Sequence, residues 1–279
     1  MLGRTPSRLA QGSLAATALA LALSMMVAGE ASARSVKEAK AAGTAIVGIQ
    51  GDNQPWGFID ASGVQSGFDA DMAKAFANHL GVKVQFTPLA VANRIPALVT
   101  GKVDVLFATM AMTEERAKSI QYSQPYASNA IYLVGHKDKS ISGPKDLSGK
   151  SVGVPRSSTM DTALTKVAPA DANILRFDDD AANIQALLSG QVETVGGNQF
   201  YIARLEAASA GIFENKFELD RTYNGAGSRL GEKDWNEELN KFLAEFKKTP
   251  EYAAIYKKWI GVAVPDFPSS IAKIPFSIN

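Results

Sequence analysis

Three observations predict an α/β fold with largely parallel sheets. Short apolar runs of strand length alternate with segments of helical periodicity, glycines punctuate the junctions, and the alternating series occurs twice in similar form. The 279 residues are 46% hydrophobic, with a mean hydropathy near zero. That is ordinary globular chemistry, enough for one large or two medium domains.

The first series opens with GTAIVGI (43–49), read as a strand. A helix follows over GFDADMAKAFANHLG, where Phe68, Met72, Phe76 and Leu80 recur every four residues, Ala73 and Ala77 widen the stripe, and Gly81 stops it. VKVQFTP alternates as a strand, NRIPALVTGK is a short helix and VDVLFA a buried strand. Thr113 then caps another helix. The second series begins with NAIYLVGHKD as a strand, followed by the polar loop SISGPKDLSGK and the strand SVGVP. A helix from about Thr159, the strand ILRF, a helix over DDDAANIQALLSG, and QVETVGG continue it. NQFYIARLEAAS is a helix and KFELDR a strand. KDWNEELNKFLAEFKKT and PEYAAIYKKWIG close the chain as two helices, and the last fifteen residues read as a loose tail. The two series join near 126–130.

Residues 1–33 stand apart. Arg4 and Arg8 precede an apolar core from about Leu14 to Ala28, which ends on the small-x-small signal Ala31-Ser32-Ala33. This is the pattern of a secretory signal peptide cleaved after Ala33. The run is short for a membrane span. An exported protein is expected, periplasmic in a Gram-negative source. Removing two of the 29 basic and one of the 28 acidic residues leaves 27 of each. No basic excess points to nucleic acid or to an anionic membrane surface. There are no cysteines, hence no disulfide frame or thiolate site. No cofactor or metal is expected: His79 and His136 end a helix and a strand, and no His/Asp/Glu cluster has ligand spacing.

The stretch ATMAMTEERAKSIQYSQPY carries the chemistry. Thr113 at the N-cap puts Arg116 in the first turn, where the macrodipole disfavours a cation. Such an arginine leans back over the helix start and can grip a carboxylate with two charge-assisted bonds. A surface pair with Glu115 is the plainer alternative. In VPRSSTMD, Ser157, Ser158 and Thr159 open a helix whose amides and hydroxyls suit an anion, or simply cap it.

GFDADMAKAFANHLG, NRIPALVTGKVDVLFATMAMTEERA, YSQPY, DLSGKSVGVPRSST, ALLSGQVE and IYKKWIG occur in that order over roughly 45–262. The series resembles bacterial solute-binding protein family 3, the periplasmic polar amino-acid-binding proteins of ABC importers. The resemblance implies a type II periplasmic-binding-protein fold. Each of its two lobes is a mixed, mostly parallel sheet flanked by helices. Lobe 1 is expected at 34–126 plus 225–262 and lobe 2 at 131–219. Hinges are expected at 127–130 and 220–224, with a tail at 263–279.

It further implies that Arg116 holds a ligand's α-carboxylate, aided by the Thr109 carbonyl, the Ala111 N–H, and Ser158 and Thr159 across the cleft. Asn198 stands where the family commonly has an aspartate for the α-ammonium; it also fits a helix cap. Asp52 is a possible substitute. Trp56 fits either a ligand-facing aromatic or a core residue, and Asn53 and Val91 make the pocket less aromatic than usual. Arg94 matches an arginine that reaches the side-chain carboxylate in acidic-amino-acid members. With Arg94 and Arg116 both facing the cleft, an acidic ligand is favoured. The expected protein is a monomeric, non-enzymatic receptor that binds a small amino acid or related carboxylate and docks on an inner-membrane ABC permease. The alternative is a cyclohexadienyl-dehydratase-like enzyme on the same scaffold.

Overall fold

The computed structural model describes residues 33–278; the expected signal peptide lies outside the described residues except for Ala33. Helix α1 (Val36–Ala42) was not anticipated. Its signal is the pair Ser35 and Glu38, a reciprocal capping box in which the Ser35 hydroxyl accepts from the Glu38 amide and the Glu38 carboxylate from the Ser35 amide. Strand β1 (Thr44–Ile49) follows, then a small antiparallel sheet of β2 (Asp52–Asn53), β3 (Gly57–Ile59) and β4 (Gln65–Ser66). Helix α2 (Phe68–Leu80) buries the stripe that its periodicity marks and ends on Gly81 in the left-handed region at φ 73°.

The remaining elements are β5 (Lys83–Pro88), α3 (Arg94–Val99), β6 (Val105–Leu106), α4 (Glu114–Ala117), β7 (Ile120–His136), β8 (Ser151–Pro155), α5 (Thr159–Val167) and β9 (Asn173–Phe177). They continue with α6 (Asp180–Leu188), β10 (Thr194–Asn198), α7 (Tyr201–Ala208), β11 (Phe213–Arg229), α8 (Lys233–Phe246) and α9 (Pro250–Ile260). The expected buried strand over 103–108 is ordered as a strand only at β6. The Asp104 carboxylate accepts the Ile46 amide at 2.7 Å in place of a ladder partner.

Eight strands form one sheet in the order β5-β1-β6-β11-β7-β10-β8-β9. Pairs β1/β5, β1/β6, β8/β9 and β10/β8 are parallel, and β7 and β11 run antiparallel to each other. These two strands, 17 residues each, are the seam between two lobes. The sequence reading found only the C-terminal part of β7 and the N-terminal half of β11. Pro125 lacks an amide for the ladder, and Asn224, Gly225 and Gly227 read as turn residues. In the fold these residues sit at register shifts, where bulges bend the paired strands without ending them.

Apolar clusters occupy both faces of each half. On one side of the seam, Phe68, Phe76, Trp235, Phe242 and Tyr256 form one core and Leu98, Val103, Leu106 and Ile120 another. On the other side, Val134, Ile184, Leu187 and Tyr201 face α6 and α7, while Leu133, Val152, Val154 and Leu164 pack with α5. The sheet is thus covered by helices on both faces, as largely parallel sheets require.

The C-terminal segment is not loose. Ile271 and Ile274 form a bridge, Ile274 is buried, and the Pro275 and Phe276 carbonyls accept from Gln121, Asn236 and Asn240. Deleting residues 265–279 uncovers these groups and is expected to lower unfolding free energy by roughly 2–4 kcal/mol. Urea unfolding checks this, and an unchanged midpoint would contradict it.

Candidate functional site

A narrow cavity lies between the lobes. Gln50 at the end of β1, Asn53 on β2, Val91, Arg94 on α3, Thr109 and Arg116 line it from one side. Ser158, Thr159 and Met160 at the start of α5, Asp180 on α6 and Asn198 on β10 line it from the other, and Asn129 on β7 lines it from the seam. Six of the nine residues singled out from sequence therefore meet on one cavity: Arg94, Thr109, Arg116, Ser158, Thr159 and Asn198.

Thr113 caps α4, and its hydroxyl accepts the Arg116 amide at 3.2 Å. The Arg116 guanidinium donates to the Ala111 carbonyl at 3.3 Å and, across the cleft, to the Ser157 carbonyl at 3.1 Å. Glu115 does not compete for it, because Glu115 pairs with Lys118 at 2.6 Å. Arg94 is 3% exposed. Its Nη1 donates to the Ala108 carbonyl at 2.7 Å, and its Nε is buried without a partner. Among the described residues no carboxylate lies within ion-pair distance of either arginine. Burial, with the Arg116 charge second, pulls the Arg94 guanidinium down to about 10. It stays protonated at neutral pH, a charge held out of water that Asp180, Asp52 and Asp69 offset without touching it.

The Ser158 hydroxyl caps α5 by accepting the Asp161 amide at 3.1 Å. Thr159 stands at the first helical position, where an amide has no intrahelical acceptor. Its hydroxyl has only the Met160 sulfur, 3.8 Å away. Arg156, just before this helix start, is exposed and reaches the Arg176 carbonyl. Thr109 and Ser157 carry positive φ of 48° and 60°, a conformation unfavourable for a side chain with a Cβ and frequent at binding clamps.

Asp69 holds Thr109 in this conformation. Its carboxylate accepts the Thr109 amide at 2.6 Å, the Thr109 hydroxyl at 3.1 Å and the Tyr126 hydroxyl at 2.8 Å. Sequence reasoning counted GFDADM only as a helix start. The available signal was helical phase, since Asp69 lies three, four and seven residues before Met72, Ala73 and Phe76 of the apolar stripe.

Three expected residues lie elsewhere. Trp56 is fully buried, edge-on to Phe68 and Phe200. The Ala111 amide donates to the Thr109 carbonyl at 2.9 Å, so these two backbone groups face each other. The Asp52 carboxylate accepts the Asp180 and Ala181 amides at 2.7 and 3.1 Å, bridging to the start of α6. Burial, and then the Asp180 charge, raise the Asp52 carboxyl above the usual aspartate value. Asn198 closes the turn ahead of α7, which has no side-chain cap, and bridges the cleft. Its oxygen accepts the Phe200 amide at 2.9 Å and its nitrogen donates to Asn53 at 2.9 Å across the cleft.

In the sequence Asp180 is one of three acids that open the helix DDDAANIQALLSG, where acids suit the helix dipole. The cap is in fact Asp179, whose carboxylate accepts the Ala182 amide at 2.7 Å. Asp180 is 2% exposed and faces the cavity. The legible signal was helical phase: Asp180, Asn183, Ile184 and Leu187 share one buried face.

Two lobes joined by a pair of long strands, closed over a charged cavity, define a two-lobed binding protein of the type II periplasmic class. A model of the bacterial extracellular solute-binding proteins, family 3, matches residues 45–262, and the chain belongs to that family. It is similar to the L-cystine-binding protein TcyJ of Escherichia coli strain K12, 26% identical over 257 residues that cover 91% of this chain and 96% of that one. The ABC transporter glutamine-binding protein GlnH of Bacillus subtilis strain 168 is 31% identical over 242 residues, 83% of this chain and 88% of that one. An ancestral arginine-binding protein bound to glutamine superposes with a TM-score of 0.74 at 38% identity, covering 79% of this chain and 99% of that structure.

Burial raises Asp69 to about 6, against the hydrogen bonds from Tyr126 and Thr109. A carboxyl raised in the folded state binds protons more tightly folded than unfolded. Its stabilising contribution is full below about pH 4 and is lost as pH rises towards 6. Relative to Asp69→Asn, the wild-type chain is expected to lose roughly 2–3 kcal/mol of unfolding free energy between about pH 4 and 6.5. Urea titrations of both proteins across that range check the slope, and a pH-independent difference would contradict it.

Proposed function

We propose that this chain is the solute-capturing receptor of an ABC importer, and that it holds a small amino acid or related carboxylate, with an acidic ligand favoured. One observation carries the ligand class: Arg94 and Arg116 line the same cavity, and neither has an ion-pair partner among the described residues. Asp180, Asp52 and Asp69 offset the Arg94 charge without touching it, and a buried guanidinium with no carboxylate in contact is costly. A ligand carboxylate supplies that charge with bidentate geometry. A ligand with a cationic side chain would add a third positive group to the two arginines, which opposes binding. The relatives' names give different ligands and leave the choice to the cavity.

Lobe 1 is read as 34–126 with 225–262, lobe 2 as 131–219, and the hinge as 127–130 with 220–224. Ligand meets the arginines of lobe 1 first, and Thr159 and Asn198 arrive when lobe 2 swings in. Contacts made only in the closed form shift the open–closed equilibrium. The closed receptor then docks on the membrane permease as a monomer after export to the periplasm. Binding rather than catalysis is the favoured role, since the related chains are named as binding proteins. An enzyme on this scaffold would need a cleft acid for proton transfer, and the Asp52 carboxylate is occupied by two amides at the start of α6.

A thermal-shift screen of the twenty amino acids and simple dicarboxylates tests the reading. At about 100 times Kd a ligand stabilises by about 2.7 kcal/mol, a rise in Tm on the order of 5–10 °C. Acidic ligands are expected to give that rise, and Arg116→Ala to weaken their binding at least about 30-fold while the protein still folds. A rise with lysine, arginine or histidine alone would overturn the ligand class.

A further inference from the structure

The geometry points to Asp180 as the group that takes a ligand's α-ammonium, so that the ligand carries a protonated amine as well as its carboxylates. This rests on the acidic-ligand reading above and adds a second pole to the same cavity. The position expected for this role, Asn198, carries no charge, and its one acceptor oxygen already takes the Phe200 amide. Asp180 lies on the same lobe, 2% exposed, and lines the cavity. Its Oδ2 accepts from Gln50 at 3.0 Å and its Oδ1 from the Tyr201 hydroxyl at 2.5 Å. Among the described residues no lysine or arginine pairs with it. A carboxylate offers about four acceptor sites, and two of these remain free.

A second group supports the assignment. Asn129, on β7, is 2% exposed and lines the cavity, and its side-chain oxygen is buried with no donor. Two buried acceptors short of donors thus share a cavity with two buried or half-buried guanidiniums short of acceptors. A dicarboxylate alone would satisfy the arginines and leave Asp180 and Asn129 unmatched, with one more negative charge beside them. An α-amino dicarboxylic acid satisfies both sets. Its net charge of one negative balances the two arginines and one aspartate that line the cavity. The neighbouring fold holds Asp180 in place: Gly197 has no side chain, and a Cβ there would lie 1.9 Å from the Tyr201 ring, whose hydroxyl anchors the carboxylate.

The test compares amine-bearing and amine-free ligands on the mature chain by isothermal titration calorimetry: L-glutamate against glutarate, and L-aspartate against succinate. The wild type is expected to prefer the amino acid by at least about tenfold in each pair. Asp180→Asn is expected to bring that ratio close to one. Asn198→Asp in the Asp180→Asn background is expected to restore a preference for the amino acid, which a merely structural role for Asp180 would not produce. Circular dichroism reports folding of each variant. A wild type that binds glutarate as tightly as glutamate, or an Asp180→Asn chain that keeps the full preference, overturns the assignment and leaves the acidic-ligand reading standing. A wild type that binds none of the four acids overturns both.

Discussion

The buried guanidinium of Arg94 is the constraint from which the site follows. A charged group that loses water needs replacement partners, and the protein supplies Arg94 with one carbonyl and no carboxylate in contact. Arg116, close enough for its charge to be felt, adds to the deficit, while Asp180, Asp52 and Asp69 offset part of it without contact. The fold does not relieve the strain by turning either side chain to solvent. Arg94 begins a short helix packed on Leu98 and Ala97, and Arg116 is tethered by carbonyls on both sides of the cleft. Such a site is unfavourable when empty and favourable when an anion enters. That difference is what a receptor needs in order to couple binding to closure.

Closure has its own framework, separate from the arginines. Asp52 reaches the start of α6, Gln50 reaches Asp180, Asn53 meets Asn198, and Arg204 donates to the Asp52 carbonyl at 2.9 Å. Each bond joins a residue before the first long strand to one in the second lobe. These are polar contacts of modest individual strength. A surface held by several weak bonds opens readily and closes in register, which suits a molecule that captures and then releases its ligand. The two long strands behind the cavity connect the lobes. Their bulges, near Asn224 and Gly225, lie at the level where the lobes meet.

Much of this was legible in the chain. The stripe on α2, the glycine stops and the strand lengths follow from local periodicity, and the structure realises them with small shifts. Arg116, Thr159 and Ser158 were legible because a helix start has known electrostatics. What stayed hidden depends on contacts between distant segments. Local propensity ended β7 and β11 early, because Pro125, Asn224 and Gly227 are compatible with a strand only where a bulged partner accommodates them. The tail looked loose because its partners, Asn236 and Asn240, lie on the outer helix α8. Asp180 does stand in the first turn of α6, but its cavity-facing place stayed hidden, since in a run of three aspartates only helical phase separates the cap from the residue that turns inward. Asn198 does not cap the helix that follows, because Phe200 holds that position and the Asn198 oxygen accepts the Phe200 amide just before it.

The most direct measurement is a crystal structure of the mature chain grown with L-glutamate. The account predicts ligand density in the interlobe cavity, with carboxylate oxygens within about 3 Å of the guanidiniums of both Arg94 and Arg116. Ligand bound elsewhere, or Arg116 turned to bulk solvent with the cavity filled by water alone, would contradict it.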